Sequence, residues 1–89
     1  MPSVKIPPPY QGPTRGEDRV RVEGATVREC IEAVAKRFPG FGEQVFDAEG
    51  NVHRFVKLFV NGDEIERAAT DTSVADEDEV EILAAIAGG

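Results

Sequence analysis

Apolar and polar positions follow two different periods along this chain, and the changes of period mark its elements. Val4 and Ile6 stand between polar neighbours, the period-two pattern of a short strand. Pro7, Pro8 and Pro9 end it, because proline has no N–H to give to a ladder. Gln11 to Asp18, with Gly12, Pro13 and Gly16, reads as a loop. Arg19 to Glu23 alternates again, with Val20 and Val22 on one face, so an N-terminal hairpin with an open turn is expected.

The period then lengthens. Thr26 is a good N-cap, and Glu29 three residues later completes a capping-box pattern. Val27, Cys30, Ile31, Val34 and Phe38 fall on one stripe of a helix, while Arg28, Glu29, Glu32, Lys36 and Arg37 take the other faces. Lys36 and Arg37 also suit the negative end of the helix dipole. Pro39-Gly40 reads as its stop. Residues 41–51 are expected to be irregular, with Val45 and Phe46 dipping into the core and Glu49-Gly50-Asn51 turning the chain.

Phe55 to Val60 is the strongest strand. Val56, Leu58 and Val60 share the core face, which leaves Phe55, Lys57 and Phe59 on the other. Asn61-Gly62 signals a type I′ turn into a short strand, Asp63 to Ile65. Thr70 to Asp78 is polar and turn-rich, with Val74 as its anchor, and a last strand runs from about Val80 to Ala84. In that strand Val80 and Ile82 face in and Glu81 and Leu83 face out. Strand pair, helix and further strands predict an α+β domain over residues 1–84, a mixed sheet with one main helix across one face. Ala87-Gly88-Gly89 is too small to pack, so residues 85–89 are expected to form a flexible tail.

Composition narrows the function classes. The chain has 89 residues, enough for one small core. Its longest apolar run, Ile82 to Ala87, falls far short of a membrane span, and no basic-then-apolar leader opens it. With one cysteine a cytoplasmic protein is expected. The 17 acidic groups against 10 basic ones speak against nucleic acid as a partner, since such binding draws on neutralised phosphates. The net charge of −7 is unevenly spread: residues 1–22 carry +2, residues 23–62 carry −1 and residues 63–89 carry −8.

Candidate chemistry is sparse. Cys30 lies in the apolar stripe, where a free cysteine packs rather than reacts. His53 is the only histidine, and one histidine makes neither a zinc site nor a triad without partners. Asp76-Glu77-Asp78-Glu79 lacks the spacing of a calcium loop and reads as a solvated turn. No phosphate loop or activated serine is present, so an enzyme's active site and a metal site are not expected. Phe55, Phe59 and Leu83 are placed on a sheet face that one helix cannot cover. Either they form a partner-binding patch, or loop residues such as Tyr10 or Phe41 fold over them.

The segment HRFVKLFVNG, the acid-rich turn, the strand Val80-Glu81-Ile82-Leu83 and the closing Ala87-Gly88-Gly89 together resemble the ubiquitin-like β-grasp sulfur carriers. That family includes the small subunit of molybdopterin synthase and the thiamine-pathway carrier. The HRFV segment and its VN turn are similar in particular to the actinobacterial carrier of cysteine biosynthesis. The resemblance spans essentially the whole chain and is weakest over the proline-rich first hairpin. It implies a β-grasp fold and a carrier without an active site of its own. An E1-like adenylating enzyme would use ATP and magnesium to activate the Gly89 carboxylate, sulfur transfer would give a thiocarboxylate, and a downstream synthase would accept the sulfur. Gly88 and Ala87 would thread into the partner, and by analogy with ubiquitin Phe59 and Leu83 take the sheet positions of the recognition surface. Asp76, Glu77 and Asp78 are assigned a steering role toward a basic groove on the activating enzyme. The free carrier is expected to be a monomer. Two other readings stay open: a protein modifier joined through Gly89 to lysines, and a plain interaction domain.

Overall fold

The computed structural model describes residues 1–84; the expected tail, 85–89, lies outside the described residues. Five strands form one mixed sheet: β1 (Ser3–Lys5), β2 (Arg19–Arg21), β3 (Val56–Val60), β4 (Asp63–Ile65) and β5 (Glu79–Ala84). Their order is β2-β1-β5-β3-β4. β1 and β2 pair as the expected hairpin, with Val4 opposite Val20. β5 lies between the two hairpins, parallel to β1 and antiparallel to β3. This is the β-grasp arrangement, and it makes the last strand the centre of the sheet.

Two helices cover one face. α1 (Val27–Arg37) starts as its sequence predicts: the Glu29 N–H donates to Thr26 Oγ1 at 3.1 Å. The Glu29 carboxylate reaches back to the N–H of Ala25 at 2.9 Å, one residue before the cap. The next two orphan donors of the helix, the N–H groups of Val27 and Arg28, go to the carbonyls of Thr72 and Thr70. That contact pins the polar segment 70–74, and Val74 packs half-buried against the core as anchor. Val27, Cys30, Ile31 and Val34 are fully buried, whereas Phe38 caps the helix and is half-buried.

The expectation of irregular chain after Pro39 is corrected. Pro39–Val45 is a second helix, α2. Phe38 leaves helical geometry (φ −132°, ψ 84°), and Pro39 then takes a first-turn position, where its missing N–H costs nothing. The proline that ends α1 therefore begins α2. A Cβ added to Gly42 would stand 2.8 Å from the Ala35 Cβ, so this glycine sets how closely the helices approach. Phe41 and Val45 from α2 are fully buried beside Leu58, Val80 and Ile82 from the sheet. Asn61 (φ 50°) and Gly62 (φ 86°) both adopt left-handed geometry, as a type I′ turn requires.

Candidate functional site

Burial follows strand parity. Leu58 and Ile82 are sealed inside, and their neighbours Phe59 and Leu83 point to the uncovered face. Across that face the registers set Arg19, Lys5, Glu81, Phe59 and Glu64 side by side, one from each strand. Lys57 stands opposite Leu83. The face is thus basic at the β2 edge, acidic on β5 and apolar toward β3. Arg19 pairs with Glu79 at 2.9 Å and Lys5 with Glu81 at 3.9 Å, so its charges are partly matched internally.

Leu83 is 36 % exposed and Phe55 38 %, while Phe59 is half-buried between Glu81 and Glu64. Leu83 and Phe59 are diagonal neighbours on adjacent strands, within side-chain reach. Tyr10 and Phe41 do not cover them. Phe41 is fully buried in the helix-side core, and Tyr10 meets its ring edge-on with centroids 6.3 Å apart. Phe55 precedes β3 and packs within its own turn. The Arg54 guanidinium lies 4.9 Å from its ring centroid and the His53 ring 5.1 Å away. His53 Nδ1 accepts the Phe55 N–H at 3.2 Å, which gives this histidine a structural task.

The acidic turn has two halves. Asp76 and Glu77 are exposed, with Asp76 3.6 Å from the Met1 amino group. Asp78 is a turn residue: Oδ2 accepts the Ala75 N–H at 2.7 Å and Oδ1 accepts from Asn61 Nδ2 at 2.9 Å. These bonds hold its carboxyl below the usual carboxylate range. The turn also lies at the opposite end of β5 from Ala84. The strand is six residues long, so its two ends are about 17 Å apart at ordinary strand rise. The acidic turn Asp76–Asp78 is therefore remote from the strand end that leads to Gly89, whereas Glu66, one residue past the Leu58–Ile65 pair, belongs to that end.

Cys30 is sealed in the core, where burial first and the Glu29 charge second push its thiol pKa up, unlike a reactive thiol. Among the described residues no group of three or more His, Cys, Asp or Glu side chains is placed to hold a metal ion. No helix of the described residues is long and apolar enough to cross a membrane. Gly88, Gly89 and Ala87 lie outside the described residues.

The profile of the ThiS family matches residues 10–89. Sulfur carrier protein CysO of Mycobacterium tuberculosis (strain H37Rv) is 33% identical over 90 residues, covering 98% of this chain and 97% of that protein. Among solved structures, the matching chain of the Amycolatopsis orientalis BexX/CysO complex superposes with a TM-score of 0.86 at 34% identity, over 100% of both chains. Mycobacterium tuberculosis CysO gives a TM-score of 0.85 at 30% identity, over 97% of this chain and 100% of that one. The small archaeal modifier protein 1 of Haloferax volcanii, at 22% identity and a TM-score of 0.85 over 99% and 98% of the two chains, shares the fold.

Proposed function

Because this chain belongs to the ThiS family, we propose that it is a sulfur carrier whose Gly89 carboxylate is activated by a partner and converted to a thiocarboxylate. The observation that carries the reading is the place of β5. The central strand of the sheet presents Leu83 outward and ends at Ala84, and the chain then continues as Ala85-Ile86-Ala87-Gly88-Gly89. A body docked through that face would deliver those residues directly to a partner's site.

The chemistry is then divided. A carboxylate is a poor electrophile, since its carbonyl carbon is shielded by delocalised charge. On the partner, an oxygen of the Gly89 carboxylate attacks the α-phosphorus of ATP, and pyrophosphate leaves. The resulting acyl adenylate has AMP as leaving group. Hydrosulfide from a sulfur donor attacks the carbonyl carbon, the C–O bond to AMP breaks as AMP leaves, and loss of the S–H proton gives the thiocarboxylate. Magnesium and the nucleotide belong to the partner's site in this scheme. The carrier supplies a docking face and a terminus. Gly88 and Gly89, without Cβ atoms, fit a narrow channel and accept backbone angles closed to other residues.

The partner surface is assigned to Leu83, Phe59 and Phe55, supported by the place of Leu83 and Phe59 on the uncovered face and by the exposure of Phe55 in the turn before β3. The relative in the BexX/CysO complex supports a protein partner of this kind. The experiment is intact-mass analysis of the protein after incubation with its cognate activating enzyme, ATP and a sulfur donor. Exchange of sulfur for oxygen at Gly89 is expected. Its absence under conditions where the activating enzyme consumes ATP with a control carrier overturns the reading.

A further inference from the structure

Three arginines of this acidic chain meet at one groove of about 400 Å³, lined also by Asp47, Asn51 and Thr70. Arg28 is fixed there from the start of α1: Nη2 donates to the Gly50 carbonyl at 2.6 Å and Nε to Glu32 at 3.1 Å. Its guanidinium also lies 5.3 Å from the centroid of the Phe46 ring. Arg67 donates from Nη1 to the Arg54 carbonyl at 3.0 Å, and Arg54 rests against Phe55. Carbonyls and rings orient a guanidinium without neutralising it. Among the described residues Arg28 pairs with a carboxylate, while Arg54 and Arg67 pair with none. The groove's own acid, Asp47, uses Oδ1 to accept the N–H groups of Glu49 and Asn51.

The end of β5 lies beside this groove. Ala84 pairs with Val56, and Arg54 sits two residues earlier, in the turn closed by the Val56 N–H donating to the His53 carbonyl at 2.9 Å. Five residues follow Ala84, with a fully extended reach of about 17 Å.

We propose that the Arg28–Arg54–Arg67 groove is an anion site for this chain's own terminal carboxylate or thiocarboxylate at Gly89. The proposal rests on the reading of Gly89 as the carrying terminus. The tail is favoured over an acidic segment of another protein because its tether is short, and a short tether gives a local concentration in the millimolar range without any new contact. A thiocarboxylate held among guanidiniums is a weaker nucleophile than a free one. Docking would therefore keep the loaded tail quiet until a partner with a better site draws it out.

The test is NMR on the full chain at neutral pH, in low and in high salt, and needs no partner enzyme. Removal of Gly88 and Gly89 is expected to move the amides of Asn51, Ala68 and Thr70 several-fold more than the average amide. The Gly89 amide is expected to be less mobile in the full chain than in R54Q/R67Q, with the difference lost at high salt and retained in R54K/R67K. Groove amides that ignore the deletion overturn the proposal, as does a Gly89 equally mobile in both chains. If R54Q/R67Q leaves Gly89 mobility unchanged but slows sulfur loading, the groove serves a partner's acidic segment and the proposal is overturned. Sulfur loading is read separately by mass, so failure of docking and failure of the carrier reading give different results.

Discussion

Asn61 and Asp78 hold the tight turn after β3 to the start of β5. Asn61 Nδ2 donates to Asp78 Oδ1 at 2.9 Å, and Asn61 Oδ1 accepts the Glu79 N–H at 2.9 Å. The backbone adds a third link, from the Asn61 N–H to the Glu79 carbonyl at 2.8 Å. Asp78 thus joins two segments far apart in sequence, and its ionised form makes the better acceptor. Its folded-state pKa is lowered, by the Ala75 N–H first and by Asn61 second. A lowered pKa means that the contribution is complete above the unfolded value, near pH 4, and is lost as pH falls through the folded value. Asp78→Ala should therefore lower the urea midpoint at pH 7, and the gap from the parent chain should shrink below about pH 4. A gap independent of pH would refute the assignment.

Gly42 gives a packing test that is independent of function. Its absent Cβ would stand 2.8 Å from the Ala35 Cβ, with the Ala35 Cα at 3.7 Å. Gly42→Ala should destabilise the fold by about 1–3 kcal/mol, the usual cost of overpacking. Ala35→Gly removes the colliding methyl, though it costs about 1 kcal/mol as a glycine inside α1. The double variant should be more stable than the sum of the single changes by at least about 0.5 kcal/mol, as measured by denaturant unfolding. Strict additivity would place the collision elsewhere.

Gly24 should behave differently. A Cβ there would meet both the Cys30 backbone nitrogen and its Sγ at 2.9 Å. Trimming Cys30 to alanine removes the sulfur and leaves the nitrogen in place. Gly24→Ala is therefore expected to cost about 1–3 kcal/mol, and Cys30→Ala should rescue it only in part. Full rescue in thermal or urea unfolding would show that the sulfur alone is the obstacle.

These contacts mark what local patterns can and cannot show. The stripe Val27, Cys30, Ile31, Val34 is legible because helix period and burial coincide, and the β3 faces because parity does the same. The Asn61-Gly62 turn is legible because two left-handed residues in sequence have few other uses. α2 is hidden because a proline carries two signals, a stop for the preceding residues and a start for the following ones. The central place of β5 is hidden because a parallel pairing with β1 joins opposite ends of the chain and leaves no local trace. The arginine groove is hidden for the same reason: Arg28, Arg54 and Arg67 converge only in the fold. Charge counted by segment misleads for Asp78, which belongs to a turn distant from Ala84.

Leu83 offers the most direct test of the docking face. It is exposed, stands opposite Lys57 and has no part in the sealed core. Leu83→Glu should leave the unfolding midpoint within about 0.5 kcal/mol of the parent. If it is a central contact of the activating enzyme, loss of about 2 kcal/mol is expected, roughly a 30-fold fall in the rate of sulfur loading at subsaturating carrier. Phe55→Ala should have a smaller effect, because that ring is already engaged by Arg54 and His53. Unchanged loading by Leu83→Glu would move the interface off this face.

The acidic turn gives the last test, and its geometry sets the form of the answer. Asp76 and Glu77 are exposed and precede the Glu79 end of β5, which lies about 17 Å from its Ala84 end. At that distance they act on the approach of the two proteins and not on the reacting carbonyl, since the Debye length is about 8 Å at physiological ionic strength. Asp78 is left out of the test because its removal would loosen the turn itself. Neutralising the pair as D76N/E77Q should slow association with the activating enzyme by a factor of about 3 at low salt. The maximal rate at saturating carrier should not change, and the difference should vanish at high salt as screening removes the field. Equal association rates at low salt would exclude steering by this turn and leave it as the solvated link between Val74 and β5.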